Sequence, residues 1–170
     1  MPVYHYSEDS TIEEFAPRPS RLGDPLVWAI DEWHSPLYWL PRDCPRVTFW
    51  PLPTTTPADM ERWWSSVAGR IVIAIEAGWL ERVRACRLYC YSFDEASFAP
   101  LHGDPWMYVS RQAVRPLSVE PVGDLLARHA AGGVELRLCQ SLVPLGRAVW
   151  RSTLHTSMIR MRNAQGWEEL

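Results

Sequence analysis

An α+β domain, with a mixed or mostly antiparallel sheet and several short helices, is the fold class that three observations predict. Short runs of alternating or β-branched residues recur along the whole chain. Helical stripes are fewer, and they stand between the strands without the regular spacing of a doubly wound sheet. The 15 prolines are spread as punctuation, with no linker-like stretch, repeat or heptad, so residues 1–170 read as a single domain. That length is ample for a sizeable core.

Residues 3–7 alternate Val3, His5 and Ser7 against Tyr4 and Tyr6. The two tyrosines are the natural core anchors, which turns His5 and Ser7 toward solvent or a cleft. Residues 26–30 form a continuous apolar run, long enough for one buried strand. Residues 46–50 place Val47 and Phe49 on one face, and residues 70–76 are rich in Ile and Val. The stretches 88–93, 106–111 and 114–120 are aromatic or β-branched and read as strands. Val134, Leu136 and Leu138 alternate with Glu135 and Arg137, and Ile159 and Met161 with Arg160 and Arg162.

Thr56-Pro57-Ala58-Asp59 opens the first helix, with a Thr cap, a proline at the first position and an acid in the first turn. Met60, Trp63, Trp64 and Val67 continue it as one stripe. Residues 77–85 and 122–131 are the next helices, the latter ended by Gly132-Gly133, and residues 145–154 the last.

Composition removes several functions. All 17 basic side chains are arginine, so no lysine exists for a Schiff base or a P-loop. A net charge of −3 gives no broad basic field for nucleic acid or an anionic membrane, and none is expected as a partner. No apolar run approaches a spanning helix; residues 71–75 are stopped by Glu76. The opening residues lack the basic and apolar regions of a secretory signal, which predicts a cytoplasmic protein. Cys44, Cys86, Cys90 and Cys139 are scattered and read as reduced thiols used as small apolar groups. A zinc site on Cys86 and Cys90 lacks a second ligand pair nearby, and the five histidines offer no ligand-spaced pair, so no metal is expected. The motifs H-E-x-x-H, G-x-S-x-G and G-x-G-x-x-G are absent from the sequence.

Three groups of residues could carry chemistry. His5 and Ser7 offer an acceptor and a donor suited to a ligand amide or hydroxyl, or they are a satisfied histidine and its neighbour. From Trp28 the chain runs through Asp31, His34 and Tyr38 into Pro41-Arg42-Asp43-Cys44-Pro45-Arg46. If that stretch is extended, Arg42 and Arg46 lie roughly 13 Å apart on one side. They would line a groove for a phosphate-bearing ligand or make ion pairs with Asp31, Glu32 and Asp43. In the tail, Arg160 and Arg162 share a strand face and could pair with Glu135 and Arg137.

Tyr4-His5-Tyr6-Ser7-Glu8, Val27 to Asp31, Ser35-Pro36-Leu37-Tyr38 and Pro41 to Arg46 resemble a bacterial domain family of unknown function. Ala77 to Leu80, Glu135-Leu136-Arg137 and Ile159 to Ala164 fit it as well. The first 50 residues also resemble ADP-ribosyltransferase-like domains, in which a first strand carries a ligand-binding His and a later strand a catalytic Glu. The likeness implies that His5, Tyr38 and a carboxylate such as Asp104 or Glu76 would be the catalytic set. Ser7, Trp28, Arg42 and Arg46 would bind NAD or another nucleotide. His5 would hold a ribose hydroxyl or the nicotinamide amide, Tyr38 would stack on the nicotinamide, and Arg42 or Arg46 would hold the pyrophosphate. Where such domains present the Glu, this chain has Asp104-Pro105-Trp106, so the likeness implies nucleotide binding with an incomplete transfer motif. The reading from another class is a non-enzymatic protein-interaction domain with no small-molecule ligand.

Overall fold

The strands sort into two sheets in the computed structural model, which describes residues 1–20 and 22–168. In chain order the strands are β1 (Pro2–Ser7), β2 (Val27–Ile30), β3 (Arg46–Trp50), β4 (Ile71–Glu76) and β5 (Tyr89–Asp94). They continue as β6 (Ala99–Leu101), β7 (Asp104–Ser110), β8 (Ser118–Pro121), β9 (Val134–Cys139) and β10 (His155–Ile159). The helices are short: α1 (Pro57–Asp59), α2 (Leu80–Ala85), α3 (Leu125–Ala131) and α4 (Val143–Trp150). The fold is α+β, and every strand pair is antiparallel except β4 with β9, among the described residues.

One compact unit comprises Met1–Trp39 and Arg87–Gly123. Its sheet has the order β6-β7-β2-β1-β5-β8. Val3, Val27, Ala29, Tyr91 and Phe93 share the face that forms its core, and Phe15 lies over them. Phe15 meets the Tyr91 and Phe93 rings edge-on at 5.0 and 5.2 Å. The buried Tyr91 hydroxyl donates to the Asp9 carbonyl at 2.7 Å and accepts from the Ile12 amide at 3.2 Å, which ties the loop after β1 to the core. Val114, expected inside a strand, makes only an isolated bridge to Phe15. β6 escaped the sequence reading because Pro100 sits in it, and proline is tolerated there only because the strand is an edge.

The second unit comprises Leu40–Cys86 and the chain from Asp124 onward. Its sheet has the order β10-β3-β4-β9. All six residues of β4 are buried, as a strand covered on both faces requires. Val47, Phe49, Val72 and Ala74 face Leu142 and Val149, with Trp63 and Trp64 at the margin of this core. Gly133 takes φ +68 after α3, and the Arg70 amide donates to its carbonyl at 2.8 Å. The helix begun at Thr56 shifts after Asp59 into a π turn, Met60–Trp64. No helix among the described residues is long and apolar enough to cross a membrane.

Candidate functional site

β1 pairs with β5 along its whole length, from Pro2↔Asp94 to Ser7↔Tyr89. Against β2 its register is Tyr4↔Ile30 alone. The Asp31 amide donates to Trp106 O on β7 at 3.0 Å, so by alternation the backbone groups of Ile30 and Trp28 point toward β1. Tyr6 would be the next partner of Trp28. Instead the Trp28 carbonyl accepts from His5 Nδ1 at 2.8 Å. A carbonyl only accepts, so that nitrogen carries the proton. Thus β1 and β2 part after one pair, with an imidazole at the opening.

His5 shares its face with Val3, Tyr91 and Phe93, and its ring meets Phe15 edge-on at 5.0 Å. This reverses the sequence expectation that Tyr4 and Tyr6 anchor the core while His5 turns away from it. The half-buried Tyr6 phenol lies on the other face against Ser35, Trp39 and Cys90. Burial, and next the Cys90 thiol, push its pKa well above the ordinary tyrosine value. Tyr38 also belongs to that other face: its hydroxyl lies 3.9 Å from Met107 Sδ, and Met107 pairs with Ile30. The sheet therefore separates His5 from Tyr38 instead of gathering them in one pocket.

The other expected residues disperse further. Ser7 Oγ accepts from the Asp9 amide at 3.1 Å and shapes the turn after β1. Trp28 enters the opening through its carbonyl, while its side chain is on the Tyr4 face. Asp104 begins β7 beside the Gly103 turn, and strand rise and spacing put it about 16 Å from His5. In the other unit, the buried Glu76 carboxylate accepts from the Gln165 amide at 3.0 Å. Arg46 is only 2% exposed, and its Nη1 donates to the carbonyls of Pro41 at 3.2 Å and Cys44 at 3.3 Å. The extended, groove-lining pair is thereby corrected: Cys44 N bonds Pro41 O at 3.0 Å, closing a turn with Arg42 at its tip, and Arg46 props it from inside. Burial raises the Cys44 thiol to about 12, so it is a packing group rather than a nucleophile.

The sequence reading missed a pairing of Asp31 with His34. Where β2 ends, Asp31 Oδ1 accepts from the His34 amide at 2.7 Å and from its Nδ1 at 2.8 Å; Oδ2 lies 2.9 Å from the same nitrogen. The imidazole stacks on Trp106 at 4.8 Å and meets Trp33 edge-on at 4.4 Å. Both side chains remain partly accessible, at 13% for His34 and 33% for Asp31. Nearby, the Tyr108 phenol is pushed up by burial first and by Glu95 and Asp31 next. The signal was an Asp three residues before a His at a strand end, where a carboxylate can cap the following turn. Among the described residues no three His, Cys, Asp or Glu side chains gather as metal ligands.

No curated protein and no solved structure matches the chain. One family model does, and it spans residues 4–164, nearly the whole sequence. It covers the His5 opening, the Asp31–His34 pair and the Arg42 turn together. By that match the chain belongs to the Family of unknown function (DUF6886).

Proposed function

We propose that the six-stranded unit binds a small molecule of the nucleotide or NAD class where β1 and β2 part. The observation behind this reading is the break in the ladder after Tyr4↔Ile30, with His5 Nδ1 on the Trp28 carbonyl. Extended backbone facing a gap offers N–H and C=O groups to a planar amide or a nucleobase edge, as a strand edge does to an added strand. The His5 ring, oriented by its Nδ1 bond and the Phe15 contact, stands beside that gap. ADP-ribosyl transfer needs a carboxylate at the reacting ribose. The strand geometry sets Asp104 far from His5, so binding is proposed here without transfer. A cytoplasmic setting, with the thiols reduced, goes with this reading.

A protein-interaction role is the second reading, and β8 favours it. That edge strand is exposed at all four residues, with Leu117 and Val119 exposed by 69% and 43% beside and within it. Calorimetric titration of the protein with NAD and with nicotinamide separates the two. The ligand reading expects heat at millimolar ligand and about a tenfold loss of affinity in His5→Ala. Absence of heat with the wild-type protein would leave only the interaction reading.

A further inference from the structure

We propose that β9, at the edge of the four-stranded sheet, is a self-association edge that pairs antiparallel with β9 of a second copy of this chain. Among the described residues β9 has one partner strand, β4, so its outer edge has no strand to meet. The strand is six residues long, Val134–Cys139, and holds no proline to blunt that edge. It lies in the other unit from β1 and β8.

The order of charges along β9 argues for a copy of itself. Its charged side chains are Glu135 and Arg137, and alternation puts both on one face. The sequence expectation that they pair with Arg160 and Arg162 on one strand face is corrected. β10 and β9 lie at opposite edges of the sheet. β10 stops before Arg160, which takes the left-handed φ of 56 and leads into the 3-10 turn Met161–Asn163. Arg137 turns to Glu135 instead: its Nε donates to Oε1 at 2.8 Å, and its Nη2 lies 2.7 Å from the same oxygen. Both contacts use Oε1 and leave Oε2 and Nη1 for a group on a facing strand. At the ends of the β4–β9 ladder the neighbouring charges are engaged inside the unit. Arg70 Nε donates to the Gly132 carbonyl at 2.7 Å, and the buried Glu76 accepts from the Gln165 amide at 3.0 Å.

Symmetry then selects one register. Two antiparallel copies of a strand are related by a twofold axis normal to the sheet, which keeps each face on its own side. The axis must therefore pass through a residue, not between two. Centred on Leu136, it sets Glu135 opposite Arg137 of the second copy, twice. Centred on Glu135 or on Arg137, it sets like charges opposite each other, which is unfavourable. On the other face the Leu136 register brings Leu138, exposed by 48%, against Val134 of the second copy, and Leu136 against its own equivalent. One register thus satisfies charge on one face and covers apolar surface on the other.

Sedimentation of the full chain from about 10 to 500 μM at low salt tests the pairing. A reversible dimer is expected, and it should weaken about tenfold in Glu135→Arg and in Arg137→Glu, each of which creates two symmetric like-charge pairs. An equimolar mixture of those two variants should form a heterodimer, since their edges are complementary to each other. The double variant Glu135→Arg with Arg137→Glu keeps opposite charges facing and should dimerise as the native chain does. Leu138→Glu, on the other face, should weaken the dimer with the charge order intact. A chain that stays monomeric at about 500 μM would overturn the proposal and leave the edge to a strand of another protein. A dimer unaffected by Glu135→Arg would overturn it as well, by moving self-association to another edge such as β8. So would two folded single variants that fail to combine. Nicotinamide binding at β1 is read separately and does not depend on any of these outcomes.

Discussion

β4 and β1 both sit inside a sheet, yet they use their ladders differently. β4 is registered with β3 from Phe49↔Val72 to Arg46↔Ile75, and with β9 at all six of its residues. Its residues are buried on both faces, so neither its backbone nor its side chains meet solvent. β1 has the same continuity toward β5 but only one pair toward β2, where a side chain takes the next carbonyl. The difference separates scaffold from candidate site. A strand satisfied by its neighbours can only support, whereas one that parts from a neighbour has hydrogen-bonding groups to direct elsewhere.

The largest break in this comparison should come from β4. Ile73→Ala removes a side chain with no exposed surface from the centre of the four-stranded sheet. It should cost about 4 kcal/mol, read as a shift in the urea midpoint. Phe15→Ala acts on the other side of the comparison. Phe15 covers β1 and β5 and contacts His5, Tyr91 and Phe93, so its loss should cost about 3 kcal/mol. It should also free the His5 ring, visible as altered imidazole resonances. If those resonances stay put, Phe15 does not orient the ring.

Asp31→Ala should have a smaller effect, about 1–2 kcal/mol, because the His34 amide and ring lose an acceptor that is itself partly solvated. The smallest effect is a pH dependence far from either strand. Asp59 accepts from the Thr153 hydroxyl and amide, and those bonds hold its carboxyl below the ordinary value of 3.8. A depressed folded value means the contribution is whole above 3.8 and is lost as pH falls through the lower folded value. Asp59→Asn should therefore lower stability slightly at neutral pH, leave the most acidic end nearly unchanged, and so flatten the acid side of the stability profile. An unchanged acid limb would show that the Thr153 bonds contribute nothing.

Particular residues show why some of this was readable beforehand. Ile71 to Ile75 is a run of β-branched residues bounded by Gly69-Arg70 and Glu76, and a strand buried on both faces is what such a run can become. In β1 the alternation was equally clear, and it correctly put His5 opposite Tyr4 and Tyr6. Alternation tells which residues share a face but not which face meets the core. That choice depended on Phe15, Tyr91 and Phe93, partners from distant stretches. Arg160 carried no local sign of its left-handed backbone, since glycine is the usual signal there. Of the candidate site, His5 and Trp28 stood in separate groups in the sequence, because a side-chain bond to a backbone carbonyl 23 residues away leaves no local signal. Arg46 was not seen as an internal prop, because burying a guanidinium depends on carbonyls that only the folded turn supplies.

Amide hydrogen exchange at Tyr6, read by NMR with and without nicotinamide, tests the parted ladder most directly. The account predicts rapid exchange in the free protein, slower than neither Tyr4 nor the β4 amides, and marked slowing when the ligand is added. A Tyr6 amide already protected as strongly as those of β4, and indifferent to nicotinamide, would contradict it.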